Sequence, residues 1–154
     1  MNDDKPILYN KAADRDAVVL TVIAVTQPCT LRAKILKIYS ARKGVNLDML
    51  GREIEFVHGP NTYGNVEMKP GETGIVFLAG LRDRLYEDPW RGHMLVEDID
   101  GEPHAIFPHM TPVTRTDGLY HLSRPDPKRS YARAVRFDLT ESYLRELIAS
   151  VDKA

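Results

Sequence analysis

Hydrophobic positions along this chain fall into short dense runs and short alternations, and both patterns predict strands. Val18, Val19, Leu20, Val22, Ile23 and Val25 crowd residues 18–26, a β-branched run that predicts a long strand ended or bent by Pro28. Residues 31–39 begin with alternation, Leu31, Ala33 and Ile35 against Arg32, Lys34 and Leu36, then lose it, as in a strand turning a barrel corner. Ile54 and Phe56 alternate with charge over residues 51–58, which predicts a strand with one wet face. Ile75 to Ala79 is wholly apolar and too short for a buried helix, so it predicts the central strand, entered through the turn formers Pro70-Gly71. Asp100-Gly101 joins residues 92–99 to 103–107 as a hairpin.

The remaining segments carry weaker signals. Residues 1–15 read as a loosely ordered arm with one helical turn near Asn10, residues 41–50 as a linker, and residues 81–89 as a charged loop. Residues 108–138 form a Pro-rich excursion, since proline cannot donate in a central strand. Within it, residues 118–122 suggest a short edge strand, and residues 131–137 fit a strand or a helix equally. Thr140 is a candidate N-cap for a helix over 140–152. There Leu144, Leu147, Ile148 and Val151 make an apolar stripe that must dock on the barrel or on a second copy of the chain, forming a homodimer. The layout predicts one α+β domain, mainly β: a small OB-like antiparallel barrel of about five strands over residues 16–107, with a C-terminal amphipathic helix packed on it.

Three segments also resemble the netrin-like domain, the OB-fold barrel shared with tissue inhibitors of metalloproteinases. They are Asp16 to Val22, Leu31 to Tyr39, and Lys69-Pro70-Gly71-Glu72 leading into Thr73 to Leu78. The resemblance covers about two-thirds of the chain and implies a barrel fold. Family members are usually disulfide-bonded and inhibit through an N-terminal cysteine on zinc. Here Cys29 is the only cysteine and residue 1 is methionine, so that activity does not carry over.

Composition narrows the function classes. The 154 residues carry a formal net charge of −1, which gives no general attraction to nucleic acid or anionic lipid. A single cysteine excludes an intramolecular disulfide. No apolar run reaches membrane-spanning length, and no signal-like segment follows the polar start. The expected compartment is the cytoplasm, with export the alternative if a signal peptide was removed.

Candidate chemistry is sparse. His58, His93, His104, His109 and His121, with Glu102 or Asp117, could in principle build a zinc site, but no metal-ligand spacing links them. Cys29 has no base beside it in sequence, and Glu97, Asp98, Asp100 and Glu102 read as solvated residues around a turn. No catalytic residue, metal ligand or cofactor is therefore assigned. Arg82, Arg84, Tyr86, Trp90 and Arg91 in one loop, with Tyr120 and Arg124 in another, are residue types enriched at protein interfaces. The expected function is a non-enzymatic module that binds an unknown protein, for example an inhibitor or immunity-type protein. The alternatives are a single-stranded nucleic-acid binder, or a hydrolase in which two histidines meet a carboxylate.

Overall fold

In the computed structural model, residues 7–59, 66–108 and 119–153 are described. They form α1 (Ile7–Asp14), β1 (Asp16–Gln27), β2 (Thr30–Ile38), β3 (Glu53–Val57), β4 (Thr73–Leu81), β5 (Arg84–Glu87), β6 (His93–Ile99), β7 (Glu102–Pro108), β8 (Arg124–Pro125), β9 (Ala132–Arg136) and α2 (Phe137–Lys153). The chain divides into two compact units, Asp14–His93 and Met1–Ala13 with Met94–Ala154.

The first unit is the barrel. Its strands run β1-β2-β3-β5-β4 and close where β1 pairs antiparallel with β4, Val18 opposite Val76. The β3–β5 pairing is parallel and short, Phe56 with Leu85 and Val57 with Tyr86, and it completes an OB-like five-stranded ring. Register shifts in the β1–β2 pairing, at Val19/Leu20, Val22/Ala24 and Val25/Gln27, coil that hairpin around the ring. The alternations and apolar runs of the sequence bury Val18, Leu20, Val22, Ile35, Phe56, Ile75, Phe77 and Leu78 completely, with Val18, Leu20 and Leu78 on one face of the β1–β4 pair and Ile75 and Phe77 on the other.

β5 overturns the expectation of a loop over residues 81–89. The chain reverses at Arg82 and Asp83, both left-handed (φ 52° and 65°), and returns antiparallel to β4. That turn geometry usually advertises itself with Asn-Gly or Asp-Gly, and here two charged residues adopt it.

The second unit holds the β6–β7 hairpin, turned at Asp100-Gly101 (φ 54° and 83°), with β9 beside β7 and the two-residue β8 beside β9. Residues 132–136 are a strand, which resolves that ambiguity. The expected edge strand over 118–122 is instead a 3₁₀ turn at Tyr120–Leu122, with Gly118 outside the described residues. α2 begins at Phe137, three residues before the expected cap. Thr140 lies inside it, buried, and its hydroxyl donates back to the Arg136 carbonyl (3.1 Å). Leu144, Leu147 and Ile148 are buried as the stripe requires, and α2 lies with β7 and β9 of its own unit. The N-terminal arm contains an eight-residue helix, α1. No helix among the described residues is long and apolar enough to cross a membrane.

Candidate functional site

Two loops of the barrel unit are pinned by buried carboxylates. Asp16, at the start of β1, is wholly buried, and its two oxygens accept from the backbone N–H groups of Arg42 (2.7 Å), Lys43 (2.7 Å) and Val45 (3.0 Å). This winds residues 41–45 against the β4–β5 turn, where the Gly80 N–H donates to the Lys43 carbonyl (2.6 Å). Gly44 meets Gly80 so closely that a Cβ on Gly44 would lie 2.4 Å from the Gly80 nitrogen. Between them opens a groove of ≈ 510 Å³ whose lining includes Lys43, Met49, Leu81, Arg82, Asp83 and Arg84. Its apolar residue Leu81 is 61% exposed.

The second pin is Glu87, the last residue of β5. Its Oε1 lies 2.5 Å from His58 Nδ1 and its Oε2 lies 2.7 Å from His93 Nδ1. All three side chains are buried, at 0% exposure for Glu87 and 3% for each ring. The Met68 backbone N–H donates to His58 Nε2 (3.0 Å), so Nε2 carries a lone pair and the ring proton sits on Nδ1, facing Glu87. An ionised carboxylate only accepts, so both imidazoles donate to it. Burial alone would push the Glu87 carboxyl up, but hydrogen bonds from the His58 and His93 rings outweigh it and hold the pKa at about 2, against an ordinary 4.5.

His58, Glu87 and His93 are also a group whose ligand atoms all lie within 4.8 Å of one another, as a metal site needs. The Met68 contact argues against that use. A cation on His58 Nδ1 would move the ring proton to Nε2, where it would point at the Met68 N–H. The 2.7 Å His93 separation is that of a charge-assisted hydrogen bond, and the His58 contact is shorter still.

This cluster shapes residues 88–92. Gly92 rests on the Glu87 carboxylate: a Cβ there would meet the Asp88 carbonyl at 2.1 Å and Glu87 Oε2 at 2.6 Å, so only glycine fits. The Asp88 side chain accepts from the Trp90 N–H (3.0 Å), and Arg91 takes a left-handed backbone (φ 49°). Trp90 is thereby presented at 41% exposure, with the Arg91 guanidinium over its ring, 5.0 Å from the centroid.

The residues singled out from sequence are thus separated. Arg82 and Arg84 stand at the start of β5 on the groove, Trp90 and Arg91 beyond its end, and Tyr86 is half-buried between them. Arg84 donates to the Thr30 hydroxyl (3.3 Å). Tyr120 and Arg124 belong to the second unit and are engaged locally. Arg133 covers the Tyr120 ring at 4.6 Å, and Arg124 pairs with Asp100 at 2.9 Å. In the same unit Arg129 donates to both oxygens of Glu97 (3.0 and 2.9 Å) and to Asp126 (2.8 Å), which lowers the Glu97 pKa.

Of the histidines, His58 and His93 meet, His104 bonds the Glu102 carbonyl through Nδ1 (2.8 Å), and His109 and Asp117 lie outside the described residues. Cys29 is exposed in the β1–β2 turn at φ 59°. Asp16, Glu87 and Gly92 were not singled out by sequence. No short motif links Glu87 to His58, and the one local signal is a glycine directly before His93. Comparison with protein-family models, curated proteins and solved structures finds no match.

Proposed function

We propose that the protein is a non-enzymatic module that binds another protein through residues 88–92. The observation that carries this reading is the pair Trp90 and Arg91. A large aromatic is held in the open on a tightly wound loop, with a cation over its ring that pairs with no carboxylate among the described residues. Trp and Arg dominate interface hot spots, and a preformed loop loses little freedom on docking. The resemblance to netrin-like domains remains a proposal at the level of fold, supported by the strand order of the ring.

A nucleic-acid function is less well supported. OB barrels bind single strands on the face of their second and third strands, using aromatic stacking. Here Arg32 of β2 pairs with Glu53 of β3 (3.3 Å), and the aromatic of β3, Phe56, is buried.

The test is affinity capture from the source cell with the full chain and with Trp90→Ala. A partner retained by the parent and lost by the variant, at unchanged thermal stability, is the expected result. Equal capture by both would refute the reading.

The second reading, a hydrolase, has one specific observation in its favour: two imidazoles on one carboxylate. Turnover of chromogenic ester or phosphate substrates that disappears in His93→Gln would support it. The burial of all three side chains leads us to expect none.

A further inference from the structure

The groove beside the β4–β5 turn is lined by none of residues 88–92 and so is distinct from the Trp90 loop. Its walls are fixed by backbone, through the close approach of Gly44 to Gly80 and the bond from the Gly80 N–H to the Lys43 carbonyl (2.6 Å). It carries three cations, Lys43, Arg82 and Arg84, against one acid, Asp83, in a chain whose net charge is −1. Arg84 donates to the Thr30 hydroxyl at 3.3 Å, whereas the side chains of Lys43 and Arg82 have no partner among the described residues. Arg82 and Asp83 hold left-handed backbones that Asn-Gly would adopt at less cost, so charge is kept in the turn against local preference. Apolar surface gathers at the same place. Leu81 lies on the groove, and Leu47 belongs to the 3₁₀ turn Leu47–Met49 that brings Met49 to it. At 61% and 69% they are the two most exposed large apolar side chains among the described residues.

We propose that this groove docks an extended segment of another protein in which carboxylates flank an apolar side chain. The apolar side chain covers Leu81 and Met49, and the carboxylates meet the Lys43 and Arg82 side chains. Charge complementarity selects this occupant, since three cations to one acid favour an acidic segment and oppose a basic one. The exposed apolar surface favours a segment with an apolar anchor over a uniformly charged one. Two other occupants fit less well. A single-stranded nucleic acid needs faces to stack on, and no aromatic lines the groove, while Asp83 repels phosphate. A small molecule is held by burying ~70–90% of its surface. A groove whose Leu81 wall is 61% exposed covers one side of its ligand, which suits a chain lying across it.

The full chain is titrated into a dye-labelled, end-blocked pentapeptide, Glu-Asp-Leu-Asp-Glu, and binding is followed by fluorescence anisotropy. Companion peptides replace the leucine by serine, or the four acids by lysine. The expected result is saturable binding of the first peptide that weakens as salt rises, about fivefold weaker binding of the serine peptide, and none of the lysine peptide. Lys43→Ala keeps the backbone donor that Asp16 uses, and asparagine suits the left-handed position in Arg82→Asn, so the double variant keeps the fold. It weakens binding of the first peptide about tenfold. As a second readout that needs no variant, the amide resonances of residues 43, 49 and 80–85 shift during the titration while those of residues 88–92 stay in place.

Equal binding of the serine or lysine peptide, or undiminished binding by the double variant at unchanged thermal stability, would overturn the proposal. Tighter binding of oligothymidylate than of the acidic peptide, lost in the double variant, would overturn the assignment to a protein segment. Concentration-dependent dimerisation in sedimentation velocity that the double variant removes would make the occupant a second copy of this chain, against the proposal. Peptide binding here and partner capture through Trp90 are separate measurements, so either reading can fail without the other.

Discussion

The two pinned loops of the barrel solve one problem with different chemistry. On one side of β4, opposite Leu78, Asp16 takes three backbone N–H groups from residues 42–45, donors that any non-proline residue could supply. On the other side of β4, opposite the same Leu78, Glu87 takes two imidazole N–H groups, donors that only particular side chains supply, one of them oriented by the Met68 backbone. The first loop is therefore held by one carboxylate and tolerant at residues 42, 43 and 45, while Gly44 admits no Cβ against the Gly80 backbone. The second is fixed by a set, and Gly92 and both histidines are constrained with it. The tolerant loop borders a broad groove, and the constrained one presents a single aromatic–cation pair. Both loops require a glycine, and the requirement for particular side chains is concentrated where one specific contact is proposed.

The comparison breaks most visibly at Asp16. Asp16→Ala leaves three backbone donors without an acceptor and should cost about 3–5 kcal/mol, read as a lower midpoint in urea at unchanged slope. A loss under about 1 kcal/mol would show that the 41–45 loop holds itself.

Acid should distinguish the pins next. The Glu87 carboxyl has its pKa depressed in the folded state, so its contribution is complete above the unfolded value of 4.5 and disappears as pH falls towards about 2. At about 1.4 kcal/mol per pH unit the contribution is about 3 kcal/mol. Stability measured from pH 5 to 2 should fall by that amount in the parent and by clearly less in Glu87→Gln. Parallel curves would remove Glu87 as the source.

Gly92→Ala should cost about 2 kcal/mol, because the added methyl meets backbone at Asp88 as well as the Glu87 side chain. The smallest effects test the asymmetry itself. His93→Phe keeps a ring but removes a donor to a buried carboxylate, for about 1.5 kcal/mol. Lys43→Ala keeps the backbone donor that Asp16 uses and should change stability by less than about 0.5 kcal/mol. If the two substitutions cost the same, the distinction between side-chain and backbone pinning is wrong.

Much of the barrel was legible in sequence because its strands write their burial as runs and alternations. Val18 to Val25 and Ile75 to Ala79 are the plainest cases, and Asp100-Gly101 marks its hairpin openly. β5 was not legible, since its four residues, Arg84–Glu87, are too few for a period to register, and its turn uses Arg82 and Asp83 where glycine or asparagine would have signalled it. Thr140 misled because a good cap and a buried threonine bonding back one turn look identical in one dimension. The carboxylate pins were invisible for a different reason. Asp16 serves residues more than 25 positions away, and Glu87 reaches back 29 to His58, separations set only by strand pairing. Trp90 and Arg91 were legible as residue types, whereas the missing partner of Arg91 exists only in three dimensions.

The closing of β1 on β4 also decides how any partner can approach. From Val18 to Thr21, β1 is paired on both sides, with β2 and with β4, so over that stretch another chain cannot extend the ring by laying a strand alongside it. Recognition at that closed stretch goes through side chains, including those raised on the neighbouring turns. Changing one such turn can then redirect binding while the hydrogen-bonded wall behind it stays the same.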